Sequence, residues 1–133
     1  MLVDSHCHLN FPELLKDIVQ VQANMRENAV EYALCVSVTL DKFPEVLAIA
    51  EQYSNIYASV GVHPDYEDIE EPVIDTLVTL ADHPRVIAIG ETGLDYFRLT
   101  GDLGWQRERF RTHIRAARLS GKPLIIHTRN AAE

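Results

Sequence analysis

Val3-Asp4-Ser5-His6-Cys7-His8-Leu9-Asn10-Phe11-Pro12 starts as a strand-like run and passes, without a glycine, into a proline that suits the first turn of a helix. This choice separates two parallel α/β architectures. A doubly wound dinucleotide-binding sheet wants a glycine-rich phosphate loop after its first strand, whereas the first glycine here is Gly61. A (β/α)8 barrel places its chemistry where strands end, and this strand ends in two histidines. Residues two apart on a strand share a face, so His6 and His8 aim their rings into one space while Cys7 points away. That arrangement suits a metal, but a His-x-His pair supplies only two ligands where sites use three or four.

The remainder of the chain repeats one rhythm. Short β-branched runs (Tyr32 to Val38, Ile56 to Val62, Val86 to Gly90, Pro123 to His127) alternate with segments of helical period, and the run from Leu2 supplies the first strand. Leu14, Ile18, Val21 and Met25 draw one apolar stripe, which predicts a single helix from about Glu13 to Asn28. A second helix is expected over Phe43 to Tyr53 with Asp41 as its N-cap, a third over Pro72 to Ala81, and a fourth ending at Gly121 before Pro123. Alternating strands and helices imply a parallel sheet with right-handed crossovers. The expected fold class is therefore α/β, of parallel (β/α) TIM-barrel type, with about five strands in one domain spanning residues 1–133.

Composition narrows the function classes. The chain has 47% hydrophobic and 24% charged residues, an ordinary globular balance. Its net charge of −8 disfavours a broad electrostatic footprint on nucleic acid, so a phosphate substrate would have to be met locally. No leader-like apolar region precedes Asp4, and no stretch approaches a membrane span. A cytoplasmic location is expected, with Cys7 and Cys35 as buried thiols.

Polar residues recur at the strand ends: His6 and His8 on the first, His63 in Gly61-Val62-His63-Pro64, Glu91 and Asp95 in Gly90-Glu91-Thr92-Gly93-Leu94-Asp95, and His127 and Arg129 in His127-Thr128-Arg129. A barrel gathers these ends on one rim. Imidazoles and a carboxylate suit a borderline or hard divalent cation, and one carboxylate can bridge two ions. Taken singly, Glu91 or His127 reads as a hydrogen-bonded strand-end residue; as a set with His6 and His8 they read as metal ligands. Arg129 could present a guanidinium fork to a phosphate, and Asp4 shares the parity of His6 and could orient a ligand's second ring nitrogen. Arg107, Arg111, Arg115 and Arg118 cluster beside a face carrying Phe110, Ile114 and Ala117, which reads as the solvated side of a barrel helix. Trp105 and Tyr96 could stack on bases, with loop packing as the default.

Asp4-Ser5-His6-Cys7-His8, Gly61-Val62-His63-Pro64, Gly90-Glu91-Thr92-Gly93-Leu94-Asp95-Tyr96, the Gln106 to Phe110 stretch and Lys122-Pro123-Leu124-Ile125-Ile126-His127-Thr128-Arg129 together resemble the TatD family of metal-dependent hydrolases. The resemblance covers the whole chain. It implies a (β/α)8 barrel, two divalent metal ions (Mg²⁺, Mn²⁺ or Zn²⁺), and hydrolysis of phosphodiesters, with DNA as a substrate. By position His6 and His8 would hold the first ion, Glu91 would bridge both, and His127 would hold the second. His63, Asp95 and Arg129 match positions near the site and are candidates for substrate contact. The family's further His and its catalytic Asp match nothing in this chain and would lie beyond Glu133.

A whole barrel takes roughly 250 residues, so the chain reads as the N-terminal half of one. Five strands without closure leave open edges. The expectation is an incomplete piece, nearly inactive alone, that needs the other half or self-association to cover those edges. Two other readings stay open: an amidohydrolase-like barrel acting on C–N or ester bonds, and an inactive fragment competent only for interaction.

Overall fold

The computed structural model describes residues 1–132. Its elements follow the order β1 (Leu2–Cys7), α1 (Pro12–Leu15), α2 (Ile18–Glu27), β2 (Val30–Cys35), α3 (Phe43–Gln52), β3 (Ile56–Val60), α4 (Ile74–Ala81), β4 (Val86–Asp95), α5 (Gly104–Ser120) and β5 (Leu124–Arg129). All strand pairs are parallel, and the sheet order is β1-β2-β3-β4-β5. Spatial order equal to chain order means that each crossover advances in the same direction. A doubly wound sheet reverses direction at its switch point and a barrel does not, so these strands form the half-barrel expected.

The core lies between the sheet and the helices. Ile56, Val60, Val86 and Ile89 from the strands meet Val46 and Ile49 of α3, Leu77 and Ala81 of α4 and Ala116 of α5, all buried. Burial of a large aliphatic side chain is worth about 1.5–3 kcal/mol, enough to hold the helices on that face. On the outermost strands Leu2, Val3 and Ile126 stay exposed, and among the described residues neither β1 nor β5 pairs along its outer edge. No helix of the described residues is long and apolar enough to cross a membrane.

Three local expectations are corrected. The predicted first helix is two, α1 and α2, separated at Lys16 and Asp17, where aspartate is a poor interior helix former. The N-cap of α3 is Lys42 rather than Asp41; Lys42 reaches Glu45 at 2.9 Å and Pro44 occupies the first turn. The fourth strand runs on through Glu91 to Asp95, because Thr92, Gly93, Leu94 and Asp95 pair with Ile126, His127, Thr128 and Arg129 of β5. Gly121 at φ 68° closes α5 in the left-handed conformation, as a glycine C-cap does. Cys35 is buried and Cys7 half-buried, both as free thiols. Burial pushes the Cys7 thiol up to about 12, and its Sγ donates to the Leu34 carbonyl.

The side of α5 that faces the sheet is polar, which the helical wheel did not anticipate. Gln106, Arg109 and His113 are buried on it beside Ala116 and Ala117, whereas Arg107, Arg111, Arg115 and Arg118 are exposed. His113 Nδ1 donates to the Arg109 carbonyl at 2.8 Å and its Nε2 accepts the Val62 N–H at 2.9 Å. Only the neutral ring makes both bonds. Burial lowers its pKa from 6.5 to about 4, so the contribution is complete above the unfolded value and is lost as pH falls from 6.5 towards 4. A shift of that size corresponds to roughly 3 kcal/mol. His113→Gln should flatten the pH dependence of stability across that window in urea-unfolding series; an unchanged slope would refute the assignment.

Candidate metal centre

The strand ends converge on Glu91, whose side chain is 7% exposed. Its backbone N–H donates to the Ser37 carbonyl at 2.9 Å. Beneath it Ser37 and Ser59 tie three strands together: Ser37 Oγ donates to the Ser59 carbonyl at 2.7 Å, and Ser59 Oγ donates to the Gly90 carbonyl at 2.6 Å. Gly90 and Gly93 have φ of 145° and 141°, a region that side-chain-bearing residues rarely enter. A Cβ on Gly90 would lie 2.7 Å from the Ile125 carbonyl oxygen, and one on Gly93 would overlap the His127 carbonyl. The two glycines thus let β4 approach β5 closely enough for Glu91 and Asp95 to meet His127.

The two carboxylate oxygens of Glu91 face different imidazoles. Oε2 lies 3.2 Å from His6 Nε2 and 3.8 Å from His8 Nε2. Oε1 lies 3.2 Å from His127 Nδ1 and 3.9 Å from His63 Nε2. His127 Nε2 is 2.8 Å from Asp95 Oδ2. Potential ligand atoms fall into two groups, His6-His8-Glu91 and His63-Asp95-His127, each with all its atoms within 4.8 Å of one another.

Proton accounting tests whether these groups suit a cation. His8 Nδ1 is 3.0 Å from the Val36 carbonyl, which can only accept, so the ring proton sits there and the Nε2 lone pair faces the Glu91 carboxylate. Two acceptors facing each other call for a positive ion between them. His127 has a carboxylate at each nitrogen, so an ion held at Nδ1 would stand where a ring proton otherwise could. The donor set therefore fits metal at both places. His63 differs, because its Nδ1 accepts the Asp65 N–H at 3.0 Å and its proton is left on Nε2. Burial, opposed by Glu91, holds His63 below the ordinary imidazole range and hence neutral. It is built to donate a hydrogen bond into the site.

Asp95 is fully buried on its side chain. Burial alone would raise its pKa, but hydrogen bonds from Arg129, from the Phe97 N–H and from His127 outweigh burial and bring it down to about 2. Arg129 Nε and Nη2 lie 2.9 and 2.7 Å from Asp95 Oδ2, so the fork expected to meet a phosphate is occupied by this carboxylate. Asp4 does not reach a ligand ring; its Oδ1 accepts the His6 backbone N–H at 3.0 Å.

A family model described as "TatD related DNase" matches residues 3–133. The chain belongs to the TatD family. Among curated relatives, the Escherichia coli K12 protein named "Uncharacterized metal-dependent hydrolase YcfH" is 38% identical over 137 residues, covering 98% of this chain and 50% of the relative. The Bacillus subtilis "Uncharacterized metal-dependent hydrolase YabD" is 35% identical over 134 residues, covering 100% of this chain and 52% of the relative. The crystal structure of YJJV, a TatD homolog from Escherichia coli, superimposes with a TM-score of 0.87 at 28% identity, over 97% of this chain and 51% of that one. A TatD-family hydrolase from Entamoeba histolytica gives 0.84 at 26% identity, over 98% and 50%. The chain thus spans about half the length of the relatives it matches.

Within this TatD chain, sequence reasoning marked the Gln106 to Phe110 stretch as part of the resemblance but gave it no role; the residues of α5 are the ones that position the candidate ligands. Gln106 accepts the Asp95 N–H at 2.9 Å and donates to the Pro64 and Asp95 carbonyls at 3.0 and 2.9 Å. Arg109 donates to the His63 carbonyl at 3.0 Å and grips Glu71 with two nitrogens at 2.8 and 2.5 Å. With His113 on Val62, three consecutive turns of one helix hold the loop that carries His63 and the end of β4 that carries Asp95. Trp105, a candidate base platform, lies under the Arg109 guanidinium at 4.8 Å.

Proposed function

We propose that the protein carrying this chain hydrolyses phosphodiesters, DNA among them, at a centre of two divalent ions bridged by Glu91. The observation that carries the reading is the division of the Glu91 carboxylate, with one oxygen towards His6 and His8 and the other towards His127 and His63. A bridging carboxylate needs that geometry. His6 and His8 would hold one ion, and His127, whose Nδ1 faces the other Glu91 oxygen, would hold the second, with Asp95 orienting that ring from its Nε2. Bound there, such ions would supply Lewis acidity, lowering the pKa of a water and stabilising charge on the departing oxygen. The side chains orient the rest. His63 offers its Nε2–H to a phosphate oxygen, and Arg129 fixes Asp95 in the ionised state. A cleft of about 530 Å3 over Glu91, lined by His8, Phe11, His63, Tyr66 and His127 among others, has room for the phosphate and its neighbours. The family's description as a DNase agrees in substrate class.

The test is hydrolysis of a labelled DNA oligomer by the full-length protein beside its metal content. Two ions per protein are expected, with turnover lost in chelator and restored by Mg²⁺, Mn²⁺ or Zn²⁺. Turnover that persists in chelator, or faster cleavage of small amides than of DNA, would overturn the proposal.

A further inference from the structure

A hollow of about 510 Å3 opens between the loop after β2 and the segment that leads into α4, and it shares no residue with the cleft over Glu91. Leu40, Val62, Ile69, Pro72 and Val73 give it an aliphatic wall; its polar residues are Thr39, Asp41, Glu70, Glu71 and Thr76. No Lys, Arg, His or aromatic residue lines it. β2 and β3 are interior strands of the sheet, so the hollow is built within this chain and not at an unpaired edge. Two features of it serve neither the core nor the metal centre. Thr39 is only 7% exposed, and its Oγ1 is buried with no hydrogen-bond partner among the described residues, a costly state unless a ligand answers it. Asp41 and Glu70 are exposed and, among the described residues, have no ion pair, whereas Glu71 is held by Arg109. The three carboxylates do not form one of the groups whose ligand atoms lie within 4.8 Å of one another, so they do not converge on a point as a metal ion requires.

We infer that this hollow binds a linear aliphatic diamine or polyamine, whose ammonium groups meet Asp41, Glu70 and the Thr39 hydroxyl while its methylene chain lies on the aliphatic wall. The lining selects against the other ligand classes. An anion finds no positive side chain, and a nucleobase or aromatic amine finds no ring to stack on. A neutral hydrocarbon would leave Thr39 and the carboxylates without donors. An ammonium carries donors and no acceptor, which is what an unpaired hydroxyl oxygen and two unpaired carboxylates call for, and the chain between two ammonium groups covers apolar wall. Glu71 joins the hollow to the support of the metal centre, because Arg109, which it pairs, donates to the His63 carbonyl at 3.0 Å. The occupant is thus an effector set against that support, outside the cleft, and its binding needs neither metal nor phosphodiester chemistry.

Calorimetric titration of metal-stripped, full-length protein with cadaverine tests the site. Cadaverine should saturate a single site, about tenfold or more tightly than methylamine, which has the charge without the chain, or pentanediol, which has the chain without the charge. Thr39→Val keeps the shape and removes the hydroxyl. It should weaken cadaverine about fivefold or more and leave the melting temperature of the unliganded protein unchanged or higher, because the lost group had no partner. Asp41→Asn with Glu70→Gln should weaken cadaverine about tenfold and reduce the salt dependence. Glu27→Gln with Glu31→Gln removes two exposed carboxylates outside the hollow and should change little. No saturable binding, equal affinity for methylamine or pentanediol, unchanged affinity in Thr39→Val, or equal losses in the two double variants overturns the site; equal losses would mean attraction to the acidic chain as a whole. The titration contains neither metal nor DNA, so its result and that of the hydrolysis assay stand apart.

Discussion

Glu91→Gln in the full-length protein should lower metal affinity by about 10²–10³-fold and take hydrolysis with it. The side chain is almost buried, and four imidazole nitrogens lie 3.2–3.9 Å from its oxygens. Glutamine keeps the shape but removes the charge, and it puts an NH2 where one ion would need a lone pair. Whichever way the amide turns, either the His6-His8 side or the His127-His63 side loses its oxygen. Removing one partner from a buried charge pair costs about 3–5 kcal/mol, and each 1.4 kcal/mol is about a factor of ten. Calorimetric titration with Zn²⁺ or Mn²⁺ reads the effect directly, and wild-type affinity in this variant would remove Glu91 from the centre.

The second large effect is expected at a residue with no side chain. Gly93→Ala places a Cβ on the His127 carbonyl at a φ of 141°, so the variant must bear both backbone strain and separation of β4 from β5. Strained backbone costs about 1–3 kcal/mol and overpacking about as much again, together about 2–6 kcal/mol. Gly101→Ala is the control: its φ is 85° and nothing lies within 4 Å of the added carbon, so it should cost only about 1–2 kcal/mol. Urea midpoints for the two variants decide the matter. If they coincide, the close approach of β4 to β5 is not what holds His127 in place.

How far the sequence shows this site depends on the range over which each residue acts. His6 and His8 are legible because strand parity is local, and Glu91 and His127 because a barrel sends strand ends to one rim. Those inferences need no partner. Gly90-Glu91-Thr92-Gly93 reads as a loop because glycines depress strand propensity; only the β5 backbone, more than thirty residues later, shows that they continue the ladder. The polar face of α5 is hidden for the same reason. Phe110, Ile114 and Ala117 offer an apolar stripe, yet Gln106, Arg109 and His113 turn inward because their partners are carbonyls and N–H groups of Val62, His63, Pro64 and Asp95. Arg129 has a partner that the sequence hides: two nitrogens of a fork suited to a phosphate meet a carboxylate from the neighbouring strand end.

The grip of α5 bears on how a mutational screen of this protein would be interpreted. Gln106 contributes no atom to either ligand group, yet it holds the main chain on both sides of the site. A screen scored by turnover would place it among the reacting residues, and one scored by expression would place Arg109 and His113 among ordinary packing. Neither label describes them. The shape of the candidate centre is stored in a helix that offers it no ligand atom, and maps of function drawn from proximity alone would leave that helix blank.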